Sequence, residues 1–498
     1  VTGEMTTDET NETNRYGCAP AEKRFSPVTA EIVRALDGIV GPGGVVVDVE
    51  KIEVYSHDET SETAYVRMPE VVVKPRDASD VSQILRLANR EMIPVTPRGS
   101  GTGLSGGCVP MFGGIVLSME RMNRIIEVDG DNLFIVVEPG VTTGEVQRRA
   151  REEGLLYAGD PCSAESSQIG GNLAENAGGN KAVKYGTTSR HVYGLEVVLP
   201  DGEIMRLGGK CVKDVTGYDL IHLLVGSEGT LGVITRAWLK LLPLPRFSVA
   251  LLAPFESMQT AIEVVPRIMT AGGIIPTSVE FMDSPSIRAA ELYLNSSLPY
   301  SDAGAYIIIE LEGNSESQLE SEYEFIGKLC QESGALEVFV ADNLSTQDRI
   351  WKARKCIEEA LRIVSPVYCM EDITVPTSEI PGLIAEITEI AARNGVSIPC
   401  FGHAGDGNIH ATLLRGDMDE PSWERMRDSL LEEIYQATYR RGGNLSGEHG
   451  IGAKRLEAWR KFADPVQLRV VKSIKAALDP NGIMNPGKVV DYGRPNPE

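Results

Sequence analysis

The stretch Pro97-Arg-Gly-Ser-Gly-Thr-Gly-Leu-Ser-Gly-Gly107 sets Gly101, Gly103 and Gly106 at the G-x-G-x-x-G spacing of a dinucleotide-binding turn, on the end of a strand-like run at 93–96. In that fold the third glycine opens a helix that packs on the sheet. Here the chain continues as Cys108-Val109-Pro110, then Gly113-Gly114, then a second strand-like run at 115–119. Proline and a glycine pair argue against a crossover helix, so as a nicotinamide signature the spacing is accidental. The loop keeps another use. Consecutive backbone N–H groups of a glycine-rich turn can face inward as an anion cradle, here with the Ser100 and Thr102 hydroxyls as added donors. For the loop taken alone, a plain surface turn is the alternative.

Around it, strand-like runs at 45–49, 71–74, 115–119 and 133–137 alternate with helix-spaced runs at 81–90, capped by Asp77 or Ser79, and at 143–153. A glycine-rich segment at 159–186 follows, then strands at 192–199 and 203–207 about a turn at Asp201-Gly202, then a third glycine cluster within 223–243. These glycines allow backbone to approach an extended ligand. After Pro243-Leu244-Pro245 the order becomes strand 248–252, helix 257–271, strand 277–282, strand 305–311, helix 316–333, strand 337–341, which is βαβ twice and marks a ferredoxin-like unit. Further helices are expected at 349–363, 379–394, 422–440 and 466–478.

The balance of 48 basic against 71 acidic residues, net −23, argues against a nucleic-acid or anionic-membrane partner. The eight cysteines are scattered without a Cys-x-x-Cys pair, so they form neither a zinc knuckle nor an iron–sulfur site. Reduced thiols and a cytoplasmic location are expected. No apolar run approaches the roughly 20 residues of a membrane helix, so no direct span is expected. The opening VTGEMTTDETNETN is acidic and polar, unlike a presequence, and residues 1–30 are expected to be a disordered leader.

Only six histidines occur, and three fall in two short motifs: His403 and His410 flank Ala-Gly-Asp-Gly-Asn-Ile, while Glu448 and His449 sit between glycines in Ser-Gly-Glu-His-Gly-Ile-Gly. A glycine turn can bring two imidazoles together from adjoining strands. With Glu448 they make a two-histidine, one-carboxylate set for a divalent ion, zinc being expected and manganese, iron or cobalt fitting the same shell. His449, adjacent on an extended segment, should point the other way and stay off the ion. A neutral imidazole there suits a general base. Asn408 would contact substrate or orient the site, and Asp406 is a partner for a histidine or a turn residue.

PRGSGTGLSGG, QIGGNLAENAGGNKAVKYG, VGSEGTLGVIT, GHAGDGNIH, GEHGIG and MNPGKV, in this order over about 46–490, resemble the flavin-dependent D-2-hydroxyacid dehydrogenases, the family of the glycolate oxidase catalytic subunit and D-lactate dehydrogenase. The resemblance implies an α+β protein: a two-subdomain FAD-binding domain of the vanillyl-alcohol-oxidase type over 31–245, a ferredoxin-like substrate (cap) domain carrying the metal site over 246–455, and a C-terminal segment, 456–498, returning to the FAD domain. It implies that Arg98, Gly99, Ser100, Gly101, Thr102, Gly103 and Leu104 surround the diphosphate of FAD. Pro161, Ser167, Gly170, Gly171, Asn172 and Gly179 would lie along the ribityl chain and ring, and Glu228, Gly229, Gly232, Ile234 and Asn485 would complete the cofactor site. Some relatives bond the flavin through a loop histidine. None occurs at 97–107, so non-covalent FAD is expected, with Cys162 the one residue that could upset this.

Arg354 in WKARKCIEE is similar to the family's carboxylate-binding arginine, and an exposed helix arginine pairing with Glu358 is the alternative. Where some dicarboxylate-using relatives carry a lysine just before D-x-x-x-P, this chain has Met370-Glu371-Asp372, which leans towards lactate- or glycolate-like acids. The implied reaction takes a D-2-hydroxyacid to the 2-oxoacid, with His403, His410 and Glu448 on the metal, His449 as base and hydride passing to the flavin. Electrons would leave to an external acceptor such as an electron-transfer flavoprotein, a quinone, a cytochrome or an iron–sulfur subunit. Rival readings are an electron-passing subunit of a larger complex and a non-redox enzyme like alkylglycerone-phosphate synthase.

Overall fold

A computed structural model describes residues 25–490. Most of the expected leader, 1–24, lies outside the described residues, but its last part is already packed. Phe25 meets Phe112 edge to face at 5.6 Å, Ser26 N–H donates to the Met92 carbonyl at 2.9 Å, and the Thr29 side chain caps helix Ala30–Val40. An ordered structure therefore begins ahead of residue 30, because an aromatic and a capping threonine there find partners.

The first sheet runs in the order Val45–Val46, Val71–Val73, Ile115–Ser118, Val95–Arg98, with the last three parallel. Val71–Val73 and the apolar run at 115–117 are buried on both faces, as parallel strands require. Helix Ala78–Glu91 starts at Asp77, whose carboxylate accepts from the N–H groups of Ser79 and Asp80. The strand expected at 45–49 stops early because the Asp48 side chain caps a short helix, Val49–Ile52. No helix follows the 97–107 loop, as the proline and glycines dictate. From the far end of the chain, the Ile483 carbonyl accepts from Val95 N–H and Asn485 N–H donates to the Val95 carbonyl, so Ile483 and Met484 close this core.

A second sheet is antiparallel, in the order Ile125–Asp129, Phe134–Val137, Val233–Lys240, Val192–Val198, Ile204–Gly208. Strand Val233–Lys240 alternates buried and half-buried residues, the signature of one face on a core. The third sheet has seven strands: Phe339–Ala341, Phe247–Phe255, Ala305–Gly313, Ser278–Asp283, Cys400–His403, Asn408–Leu414, Tyr368–Thr374. Its first four follow the 4-1-3-2 order of a ferredoxin-like unit, with helices Met258–Thr270 and Glu316–Glu332 as the crossovers. The other three strands extend the sheet and carry the chemistry. The helix expected at 349–363 is two, Leu344–Lys355 and Ile357–Val364, broken at Cys356. Lys181 and Lys184, from the glycine-rich segment, reach Glu310 and Glu312 of the third sheet at 3.2 to 3.5 Å and tie the two halves together.

Candidate active site

The register of the third sheet builds the site. Glu280 pairs with His403 across one strand boundary, His403 with Asn408 across the next, and His410 pairs with Phe401 on one side and Asp372 on the other. Directly paired residues share a face, so Glu280, Phe401, His403, Asn408, His410 and Asp372 all project to one side. The hairpin turn between the two histidines needs Gly407, at φ +85°, because a Cβ there would meet the Val375 carbonyl at 2.0 Å.

Segment 446–449 lies over this face. The Asp372 Oδ2 accepts from Ser446 Oγ at 2.7 Å and from the N–H groups of Gly447, Glu448 and His449 at 3.0, 2.9 and 2.8 Å, while its Oδ1 accepts from Asn408 Nδ2 at 2.7 Å. Three successive N–H groups converging on one oxygen make a tight turn, not an extended segment. The expectation that His449 points away from Glu448 therefore fails: His449 Nε2 is 3.5 Å from Glu448 Oε1, beside His403 Nε2 at 3.3 Å and His410 Nε2 at 3.2 Å. The potential ligand atoms of Asp372, His410, Glu448 and His449 all lie within 4.8 Å of one another. His403 turns its other nitrogen, Nδ1, to Glu280 Oε1 at 2.8 Å, which fixes the ring and leaves Nε2 for the site.

The electrostatics follow from this crowding. Burial alone would raise the Asp372 carboxyl, yet the His449 and His410 imidazoles hold it down to about 2. Glu448 is likewise held well below the carboxylate range, against its burial, by His403 first among the three imidazoles. His403 is pushed well up, its burial outweighed by Glu280 and Glu448, and His449 is raised, its burial outweighed chiefly by Asp372. His410 is lowered by burial. Burial takes Asp406 up to about 7, with His403 opposing. The Glu448 oxygen with the His403 and His410 nitrogens is a donor set that fits a divalent cation, and His449 Nε2 lies beside it on the same oxygen.

His410, Glu448 and His449 of this cluster line a cavity of about 490 Å³ whose lining also includes the glycine loop. Gly99, Ser100, Gly101, Thr102, Gly103 and Leu104 line it, as do Pro161, Ser167, Gly171 and Asn172. Gly101, at φ +81°, leaves no room for a side chain beside the Arg98 guanidinium. No acceptor among the described residues takes up the backbone N–H groups of residues 100–104, which is what an anion cradle requires. Arg98 itself turns away, donating to the carbonyls of His57 and Val54 at 2.8 and 3.1 Å. Gly170 packs on Pro139 and Gly179 on the Asp160 carbonyl, behind the wall. Cys162 lines the cavity.

Glu228, Gly229, Gly232, Ile234 and Asn485 are not on this wall. The Glu228 carboxylate accepts from Ile451 and Gly452 N–H at 2.7 and 2.6 Å, Gly229 lies against Pro97, Gly232 against Val197, and Ile234 sits in strand Val233–Lys240. Asn485 Nδ2 donates to the carbonyls of Gly107 and Glu228, both at 2.8 Å. Glu228 and Asn485 thus tie the glycine loop to the segment that bears His449.

Arg354 is not a surface arginine. It is 2% exposed, lines the cavity, lies 5.1 Å from the centre of the Phe401 ring and has Nη2 2.8 Å from Glu280 Oε2, yet its Nε and Nη2 make no directed hydrogen bond. Glu358, its expected partner in the alternative reading, instead faces Arg362 and Tyr368. Sequence reasoning missed Asp372 and Glu280 as site residues. Only the cross-strand register could have found them.

Residues 69–208 match the FAD binding domain and residues 244–489 the C-terminal domain of FAD linked oxidases. The chain is 41% identical to the glycolate oxidase subunit GlcD of Bacillus subtilis over 88% of its own length and 92% of that protein. The chain belongs to the FAD-linked oxidase family. A D-lactate dehydrogenase of Anaerostipes hadrus is 35% identical over 94% of this chain and 99% of that one. In fold, this oxidoreductase resembles p-cresol methylhydroxylase at a TM-score of 0.77 and 18% identity, covering 92% of this chain and 96% of that one, which is the vanillyl-alcohol-oxidase-type architecture. FAD is the cofactor that the glycine-loop wall fits. Among the described residues no helix is long and apolar enough to cross a membrane.

Proposed function

We propose that this protein oxidises a small D-2-hydroxyacid, of the lactate or glycolate kind, to the 2-oxoacid. The observation that carries the reading is the buried Arg354 guanidinium in the same cavity as the His410–Glu448–His449 cluster and the glycine loop. A carboxylate accepts two hydrogen bonds from an arginine fork, so Arg354 fixes which C–H of the substrate faces the opposite wall. His449 takes the hydroxyl proton, and Asp372 positions its backbone within the turn. Asn408 lies between Asp372, to which its amide donates, and His410, whose Nε2 is 3.3 Å from its Oδ1. Residues 99–104 would hold non-covalent FAD, which would supply a hydride acceptor, and His403, His410 and Glu448 would hold a divalent ion, zinc first, which would supply a Lewis acid for the hydroxyl. Electrons then leave to an external acceptor.

The decisive experiment adds a panel of D-2-hydroxyacids anaerobically to the flavin-loaded protein. Bleaching of the flavin by lactate or glycolate supports the reading, and so does loss of bleaching in His449→Ala with FAD still bound. An unchanged reduction rate in that variant refutes the base assignment. The likeness to alkyldihydroxyacetonephosphate synthase, 19% identical with a TM-score of 0.70, concerns the fold alone.

A further inference from the structure

Past Arg354, the cavity wall is helix Ile357–Val364, on which Glu358 and Arg362 lie one turn apart and both line the cavity. Arg362 Nη2 is 3.1 Å from Glu59 Oε2, 3.3 Å from the Tyr368 hydroxyl and 3.6 Å from Glu358 Oε1. Tyr368 donates to that same Glu358 oxygen at 3.1 Å. Glu59 is fastened to the opposite wall, its N–H donating to the Gly103 carbonyl at 3.0 Å. The remaining cation of the cavity, Lys355, has Asp160 at 3.8 Å. Every cation lining the cavity is therefore already faced by a carboxylate, and at Arg362 there are two, from two different parts of the chain.

We propose that Arg362 is a second carboxylate-binding position held closed by Glu59 and Glu358, so that the site rejects 2-hydroxy dicarboxylates in favour of monocarboxylic acids. A guanidinium is the group best shaped for a substrate's distal carboxylate, and Arg362 opens on the same cavity as Arg354. A dicarboxylate that placed its second charge at Arg362 would meet a cation already engaged by Glu59 and the Tyr368 hydroxyl. To bind there it must displace Glu59 or Glu358 and leave that acid facing another negative charge, a repulsive device that confers selectivity without improving contact with the favoured substrate. Arg362 and Glu59 are 43% and 50% exposed in their side chains, so solvent screening keeps the effect moderate.

This inference rests on reading the cavity as a hydroxyacid site, and its test has a readout that survives the failure of that reading. In the flavin-loaded protein, the affinities of the redox-inert acids succinate and propionate are measured by calorimetry and by perturbation of the flavin absorption. In parallel, kcat/KM is measured for D-malate and D-lactate. Glu59→Gln/Glu358→Gln should raise both the succinate-to-propionate affinity ratio and the D-malate-to-D-lactate kcat/KM ratio by on the order of fivefold to tenfold, the scale of one partly exposed charge-assisted pair. Adding Arg362→Met should return both ratios to the wild-type values. Glu59→Gln alone, at the half-exposed acid, should give part of the gain and guards against misfolding of the double variant. Wild-type protein that binds succinate more tightly than propionate overturns the proposal. So do ratios that stay put in the double and single variants, and so does a gain that persists without Arg362. If no hydroxyacid reduces the flavin, the functional reading fails while the succinate-to-propionate comparison still decides this one.

Discussion

Replacing Asp372 by Asn should loosen the turn that places His449, the proposed base, while leaving the fold and the flavin in place. Asp372 is fully buried, and one of its oxygens accepts four hydrogen bonds while the other accepts one. If the Asn oxygen takes the place of Oδ2, the turn keeps an acceptor, but each bond falls from the charge-assisted to the neutral range, a loss of about 1 kcal/mol apiece. Four bonds on one oxygen are not each at full strength, and the new amide must also face the Asn408 amide as donor to donor. We expect a total of about 2–4 kcal/mol. If even 3 kcal/mol of this is lost from the placement of His449, flavin reduction slows by roughly a hundredfold. The assay is anaerobic stopped-flow of flavin bleaching with the best substrate of the panel, alongside FAD content and a melting curve. Reduction within about threefold of wild type, in a protein with normal FAD content, would refute the argument that the Asp372-held turn positions the base.

Arg354→Met should raise KM for the hydroxyacid by roughly a hundredfold or more, since it removes the proposed bidentate partner of the carboxylate, and kinetics on the loaded protein measure it. Stripping divalent ions with a chelator should leave the FAD spectrum intact and abolish bleaching by substrate, with activity returning on addition of zinc or manganese. Glu371, fully buried, accepts from Tyr435 Oη at 2.6 Å and Arg455 Nε at 2.9 Å, and despite its burial the Arg455 charge takes its carboxyl down to about 2. A depressed acid stabilises the fold fully above its unfolded value, and that contribution, on the order of 3 kcal/mol, is lost as pH falls from about 4.5 towards 2. Melting temperatures against pH should therefore drop in that window, and drop less in Glu371→Gln, which is itself destabilised at pH 7. Gly407→Ala should destabilise measurably by denaturant titration, because the added Cβ meets the Val375 carbonyl at a left-handed φ.

The local signals were strong where chemistry and geometry share one stretch of chain. The 97–107 loop announced both its turn and its emptiness of helix, since Pro110 and Gly113-Gly114 forbid one regardless of what packs around it. The βαβ pairs after residue 246 were readable because each strand and helix carries its own periodicity. His403 and His410 could be paired because a glycine turn joins them. The orientation of His449 is not legible locally, because it depends on the Asp372 carboxylate, 77 residues earlier, gathering three N–H groups into a turn. Arg354 could not be told from a surface arginine until its helix was seen packed against Phe401 and Glu280.

Fold class and cofactor family are legible in the sequence, because backbone preference, hydrophobic period and residue chemistry are properties of short segments. Which groups meet is settled by long-range packing. Glu280 reaches His403 and Asp372 reaches the 446–449 turn through strand register, and Glu59 comes to Arg362 from the far wall of the cavity. Those contacts orient His403, the 446–449 turn and Arg362, and they arise between segments whose separation along the chain leaves no local trace.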